Sequence, residues 1–217
     1  MEKIAIRRQE VYRYLGLGDQ EPEDVLAQKI ESACAQLDAV VAPKETHLRL
    51  PLHIQDETTF FLQNHRFQSR DMVRHLQNCQ EVILFAATLG TGVDQLIRRS
   101  EVLDMSMAVI LQACAAEAIE SWCDRCEAEI SKEVGHENLY LRPRFSPGYG
   151  DFSIHYQQEL LQMLQASKRI GLTVTENCLM VPIKSVSALI GLTTQKESCH
   201  VHKCQSCPQI HCPFRKV

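Results

Sequence analysis

The chain has 217 residues, a formal net charge of -4, and 45% hydrophobic against 23% charged residues. That balance suits a globular protein able to bury a full core without disulfide staples. No basic stripe points to nucleic acid, and the longest apolar candidate, Met105 to Ile119, is interrupted by Gln112 and Glu117, which argues against a membrane span. The opening Met1-Glu-Lys-Ile-Ala-Ile-Arg-Arg lacks the apolar centre of a secretory signal, so a cytoplasmic location is expected.

In chain order, Arg7 to Leu15 reads as a short amphipathic helix ended by Gly16 and Gly18. Pro22 opens a second helix reaching about Val40, with Val25, Leu26, Ile30, Ala33 and Leu37 on one face. Thr46 to Ile54 and Thr58 to Phe67 have the alternation and aromatic content of strands, and Ser69 is an expected N-cap for a helix carrying Met72, Val73 and Leu76. Val82 to Thr88 is a continuous apolar run that predicts a buried strand, turning through Leu89-Gly-Thr-Gly92 into a helix. Asp104 to about Val134 is the longest predicted helix. Leu139 to Phe145 is expected as a strand, Tyr156 to Ala166 as a helix, and Leu172 to Asn177, Cys178 to Val181 and Val186 to Leu192 as extended pieces. This order predicts an α+β fold: one domain with a mostly antiparallel mixed sheet flanked by helices, plus a short Cys-rich C-terminal tail. The expected divisions are a helical segment over 1–44, the main domain over 45–198 and the tail over 199–217.

Four features carry chemistry. Arg144-Phe-Ser-Pro-Gly148-Tyr149-Gly150 combines a fixed cation, a turn and an aromatic face. An arginine takes a carboxylate through paired hydrogen bonds, and glycine lets a ligand approach the backbone. The alternative is a surface turn with a salt-bridged arginine. Glu117 lies among Ala113, Cys114, Ala115, Ala116 and Ala118. It faces either solvent or a pocket, and if buried it needs a partner, such as a ligand amine. Cys123-Asp-Arg-Cys126 sits inside a helix, where packing is the better reading than redox chemistry. Cys34, Cys79, Cys114 and Cys178 read as small core residues. The tail spacing, Cys199-x4-Cys204-x2-Cys207-x4-Cys212, suits a single metal centre, zinc or an iron–sulfur cluster, with His200, His202 and His211 as alternative ligands. Gly90 and Gly92 form a strand-to-helix turn, with no lysine at phosphate-loop spacing.

Arg144-x3-Gly148-Tyr149 resembles the S-adenosylmethionine-binding motif of the reactivation domain of cobalamin-dependent methionine synthase. Ala116-Glu117-Ala118 and Met180-Val-Pro182-Ile-Lys-Ser185-Val-Ser187 are similar to two further family segments, and the likeness runs from roughly residue 45 to 192. It implies a free-standing reactivation protein. Such a protein binds S-adenosylmethionine and supports reductive remethylation of cobalamin held by a separate methionine synthase that lacks this domain. By the same resemblance Arg144 takes the ligand carboxylate and Glu117 an amine or hydroxyl. Ser146 and Gly148 line the pocket, Tyr149 lies against ligand or corrin, and Asp56 and Ser185 are further candidates. Near Leu189-Ile190 the family's synthase domains carry an aromatic where this chain has aliphatics. The implied electron donor is a flavodoxin or ferredoxin; an iron–sulfur cluster in the tail, suggested by the cysteine spacing alone, would let the chain relay the electron itself. Two other readings stand beside this one: a non-catalytic corrinoid-protein adaptor with a structural zinc site, and an activator of a different corrinoid methyltransferase.

Overall fold

A computed structural model describes residues 3–18 and 20–195. The helices and strands run in the order α1 (Arg8–Tyr14), α2 (Asp24–Val40), β1 (Lys44–Ile54), β2 (Thr59–Leu62), β3 (His65–Gln68), α3 (Arg70–His75), β4 (Cys79–Thr88), α4 (Thr91–Leu103), α5 (Met105–Gly135), β5 (Tyr140–Leu141), α6 (Tyr156–Met163), α7 (Ala166–Ile170), β6 (Thr173–Val174), β7 (Met180–Val181) and β8 (Ser185–Thr193). Six strands form one sheet in the order β3-β2-β1-β4-β8-β5, and β6 pairs with β7 apart from it. Every pairing is antiparallel, so the expected mostly antiparallel sheet is antiparallel throughout its described strands.

The central strand β4 explains the layers. Ile83, Phe85 and Ala87 point into a core shared with α1, α2, α4 and α5. Val82, Leu84 and Ala86 point the other way, into a core with Phe60, Phe67, Met72, Phe152 and the α6–α7 leucines. A strand covered on both faces reads as a continuous apolar run rather than an alternating one. β8 is treated the same way, with Leu189 in one core and Ile190 in the other, both fully buried. The aliphatic pair in place of the family's aromatic is therefore core packing.

Two expected elements differ in extent. The strand expected over Leu139 to Phe145 narrows to β5 plus an isolated bridge from Phe145 to Leu189, because Pro143 has no N–H to donate between them. The helix expected over Tyr156 to Ala166 breaks at Gln165, which adopts φ 50° before α7 starts. Elsewhere the expected cap at Ser69 is present, its Oγ accepting the Met72 N–H at 2.9 Å, and the structure adds a cap on α5, where Asp104 accepts from Met107 N at 3.1 Å. No helix among the described residues is long and apolar enough to cross a membrane.

Candidate functional site

The loop between β5 and α6 is fixed at three points. Phe145 exchanges both backbone hydrogen bonds with Leu189, at 3.0 and 2.9 Å. The turn closes on itself through Gly148 N to Phe152 O at 2.7 Å and Tyr149 N to Ser146 O at 3.2 Å. Gly148 sits at φ 95°, a conformation that favours glycine. The third anchor is Asp151, which accepts from the Ser69 hydroxyl, from Arg70 N at 2.9 Å and from Asp71 N at 3.1 Å. These bonds hold its carboxyl below the usual range, with the Ser69 contact the largest cause. Phe152 then buries among Phe60, Phe67 and Tyr156, which leaves the Tyr149 ring exposed and edge-on to Phe145. Asp151→Ala is expected to lower stability by about 1 kcal/mol, the usual worth of such a cap, read from chemical unfolding. Sign follows from the depressed value: the Asp151 contribution is present above the ordinary aspartate range and is lost as pH falls through the lowered one.

Against this loop lies one face of α5. Glu120, Asp124 and Glu127 recur at helical spacing and converge on Arg144. Its Nη1 donates to Glu127, and its Nη2 donates to Glu120 at 3.0 Å and to Asp124 at 2.9 Å. Burial works against the guanidinium charge, but Glu127 and the other carboxylates outweigh it and raise its pKa. Burial also raises the Glu127 carboxyl above its usual value, with Arg144 opposing. A guanidinium has five N–H donors, so these three bonds leave Nε–H and one Nη1 proton for a ligand.

Between the α5 face, the loop and the start of β8 is a cavity of about 490 Å³, lined by Glu120, Glu127, Arg144, Ser146, Tyr149, Gln157, Met180, Ser185 and Ser187 among others. Its size falls within the usual range for small-molecule sites. Arg144, Ser146, Tyr149 and Ser185 thus line one cavity. Ser185 Oγ lies 2.7 Å from Pro182 O and 2.8 Å from Thr88 Oγ1, which fixes the first turn of β8 beside the cavity. Gln157 is buried, donates from Nε2 to Cys178 O at 2.9 Å and lies 3.4 Å from Ser187 Oγ, so it forms a polar floor.

Three candidates sit elsewhere. Gly148 is not a lining residue; it shapes the turn, and its N–H is taken by Phe152. Glu117 is fully buried, but its Oε1 accepts from Arg7 Nε at 2.5 Å and from Ser121 Oγ at 2.8 Å, on the α1 side of α5. Asp56 is exposed and closes its own turn by accepting from Thr58 N at 2.8 Å and Thr59 N at 2.9 Å. Glu120, Glu127 and Gln157 line the cavity without having been sequence candidates, and Met180 belongs to the segment already likened to the family. The helical spacing of Glu120 and Glu127 carried a signal, whereas Gln157 carried none.

Cys123 and Cys126 are both buried, which pushes both thiols up, Cys126 to about 12. That environment suits packing rather than redox chemistry. No cluster of His, Cys, Asp or Glu among the described residues could hold a metal ion, and Cys199, Cys204, Cys207 and Cys212 lie outside those residues.

The model of the vitamin B12 dependent methionine synthase activation domain matches residues 38–210. The chain belongs to this family. No curated protein matches it. Among solved structures it is similar to the MetH reactivation domain bound to AdoHcy, with a TM-score of 0.67 at 17% identity, covering 88% of this chain and 75% of that one. At that identity the likeness is one of fold. The activation-domain match takes in Cys199, Cys204 and Cys207 of the tail but stops short of Cys212.

Proposed function

We propose that the chain binds S-adenosylmethionine in the cavity beside Arg144 and supports remethylation of cobalamin carried by a methionine synthase encoded separately. The observation that carries this reading is the charge pattern of the cavity. One guanidinium with donors to spare stands among the Glu120, Asp124 and Glu127 carboxylates. S-adenosylmethionine bears a carboxylate, an ammonium and a sulfonium, so it is a net cation that needs one fixed cation and an acidic surplus. Arg144 takes its carboxylate. Glu120 and Glu127, which line the cavity, take the amino group, the part the resemblance gives to Glu117 with a hydroxyl as its alternative, and face the sulfonium. The exposed Tyr149 ring offers a stacking face at the mouth. Bound there, the ligand supplies a methyl group on a positively charged sulfur. The chain's own residues hold that group and exclude water from one side.

The rim supports a partner that closes the other side. Tyr149 and Ile154 are exposed large side chains that line the cavity itself. An exposed apolar edge on a polar cavity suits docking of a large, largely apolar face, which the corrin-bearing module of a methionine synthase provides. The electron donor, a flavodoxin or ferredoxin, and a tail centre of zinc or iron–sulfur at Cys199, Cys204, Cys207 and Cys212 complete the proposal as expectations from the sequence.

Calorimetric titration tests it. S-adenosylmethionine should saturate the full chain and bind tighter than S-adenosylhomocysteine, which lacks the sulfonium charge. The preference should shrink in Glu127→Gln and in raised salt. Absence of saturation at millimolar ligand, or a preference unchanged in both Glu120→Gln and Glu127→Gln, overturns the assignment. Iron, sulfide and zinc assays on the same anaerobic batch decide the tail.

A further inference from the structure

Two thiols meet where α2 packs on α5. Cys34 Sγ and Cys114 Sγ lie 3.8 Å apart, although 80 residues separate them in the chain. Cys114 is sealed, whereas Cys34 keeps 5% of its surface exposed. On α2, Glu31 and Asp38 stand three residues before and four residues after Cys34, which places all three on one face. Glu31 pairs with Arg8 at 2.5 Å and Asp38 with Lys3 at 2.6 Å. Both cations lie close enough to Cys34 to act on it electrostatically. The two thiols therefore differ. The hydrogen bond with Cys114 lowers the Cys34 thiol, Arg8 adds to that and burial opposes it. The same hydrogen bond and burial raise the Cys114 thiol. A thiolate is the reactive form of cysteine, and a cation beside it favours that form.

We propose that Cys34 and Cys114 are a redox pair that a hydroperoxide converts to a reversible disulfide, latching α2 to α5. The Cys34 thiolate attacks one peroxide oxygen, the O–O bond breaks, and Cys34 becomes a sulfenic acid. With hydrogen peroxide the leaving hydroxide takes up the proton that Cys34 released. Cys114 then attacks the Cys34 sulfur, the S–O bond breaks, and water leaves with the Cys114 proton. The two sulfurs lose two electrons and the peroxide gains them, so the products are one disulfide and two waters. Closing from 3.8 Å to the bond length of about 2.05 Å asks for a movement of about 1.8 Å, shared by two side chains. Hydrogen peroxide is small enough to reach a thiol that is nearly covered. The Arg8 and Lys3 side chains beside it are 34% and 78% exposed, and exposed ion pairs hold weakly enough to open. Cys34 precedes residue 38, where the activation-domain match begins, and Cys114 lies inside that match. The link thus fastens the N-terminal helices to the family domain. It does not depend on the ligand reading at Arg144.

The test oxidises the reduced full chain with hydrogen peroxide under native conditions, caps remaining thiols with N-ethylmaleimide and maps peptides without reduction. A cross-linked peptide holding Cys34 and Cys114 should appear, and dithiothreitol should abolish it. Oxidation should also raise Tm by about 5–10 °C, because the link closes a long loop of the unfolded chain. Cys34→Ser keeps the other nine cysteines, the tail included, so it should lose the shift while any tail oxidation continues. Cys114→Ala is the second variant and should lose it too. The peptide map on the unsubstituted chain decides the matter even where a variant folds poorly. Oxidation that consumes thiols without producing the Cys34–Cys114 peptide overturns the proposal. So does a peptide that forms only in denaturant, or a Tm shift that survives in Cys34→Ser.

Discussion

Replacing Arg144 with alanine is expected to weaken S-adenosylmethionine binding by about 100-fold and to destabilise the fold by about 3 kcal/mol. The first figure is the worth of charge-assisted hydrogen bonds to a carboxylate, roughly 2–3 kcal/mol. The second follows from what is left behind. Arg144 is the cation on which Glu120, Asp124 and Glu127 converge, and its side chain is only 17% exposed. Removing Arg144 leaves the largely buried Glu127 without its cation, while Asp124 keeps Arg7 at 3.4 Å, so the cost falls at the low end of about 3–5 kcal/mol. The loss should depend on pH in a definite sense. Burial already raises the Glu127 carboxyl in the intact protein, with Arg144 opposing. Without Arg144 the rise is larger, so the folded state holds that proton more tightly than the unfolded state. Stability then falls as pH rises from the ordinary glutamate range through the raised value. Urea unfolding should show a greater deficit at about pH 8 than at about pH 5, and Arg144→Ala combined with Glu127→Gln should recover part of it without recovering ligand binding. A deficit that does not vary with pH would mean that Glu127 is not the group left stranded.

How far the site was legible in the sequence depends on what decides each residue's neighbours. The turn at Arg144 to Gly150 was readable because its conformation is local: Gly148 and Gly150 take positive φ, and proline and glycine announce the turn before any packing is known. The burial of β4 was readable for a similar reason, since a continuous apolar run of that length suits a strand covered on both faces. The break at Gln165 was not readable. Leu164-Gln165-Ala166 contains no glycine or proline, and the left-handed turn there follows from Leu164 and Ala166 both burying in the same core. The division of labour along α5 was half readable. Helical spacing sets Glu120 and Glu127 together, but which acidic residue faces the cavity depends on where α1 and the β5–α6 loop come to rest. Glu117 and Glu120 are a single turn apart, and tertiary packing sends one to Arg7 and the other to Arg144.

That separation gives the second large expectation. Arg7→Ala should destabilise the protein by about 2–3 kcal/mol while leaving ligand affinity nearly unchanged. Glu117 is sealed, with 1% of its side chain exposed, and Arg7 Nε is its charged partner at 2.5 Å; its Oε2 already lacks a donor. Removing the cation strands a buried carboxylate, whose cost belongs to the buried-pair range. The figure is reduced here because Arg7 itself is 49% exposed and its charge is partly screened. Ser121 still donates at 2.8 Å, which keeps the carboxylate from being wholly unsatisfied. Glu117→Gln on the Arg7→Ala background should restore most of the loss, because the neutral amide needs no counter-charge. The two possible roles of Glu117 then separate cleanly. If it anchors the N-terminal segment to α5, Glu117→Gln alone alters unfolding but leaves S-adenosylmethionine affinity within about twofold, a difference of a few tenths of a kcal/mol. If it contacts the ligand, the same substitution weakens binding as much as Glu120→Gln does. Titration and unfolding of Arg7→Ala, Glu117→Gln and the double variant decide between them, and the ion pair with Arg7 predicts the first outcome.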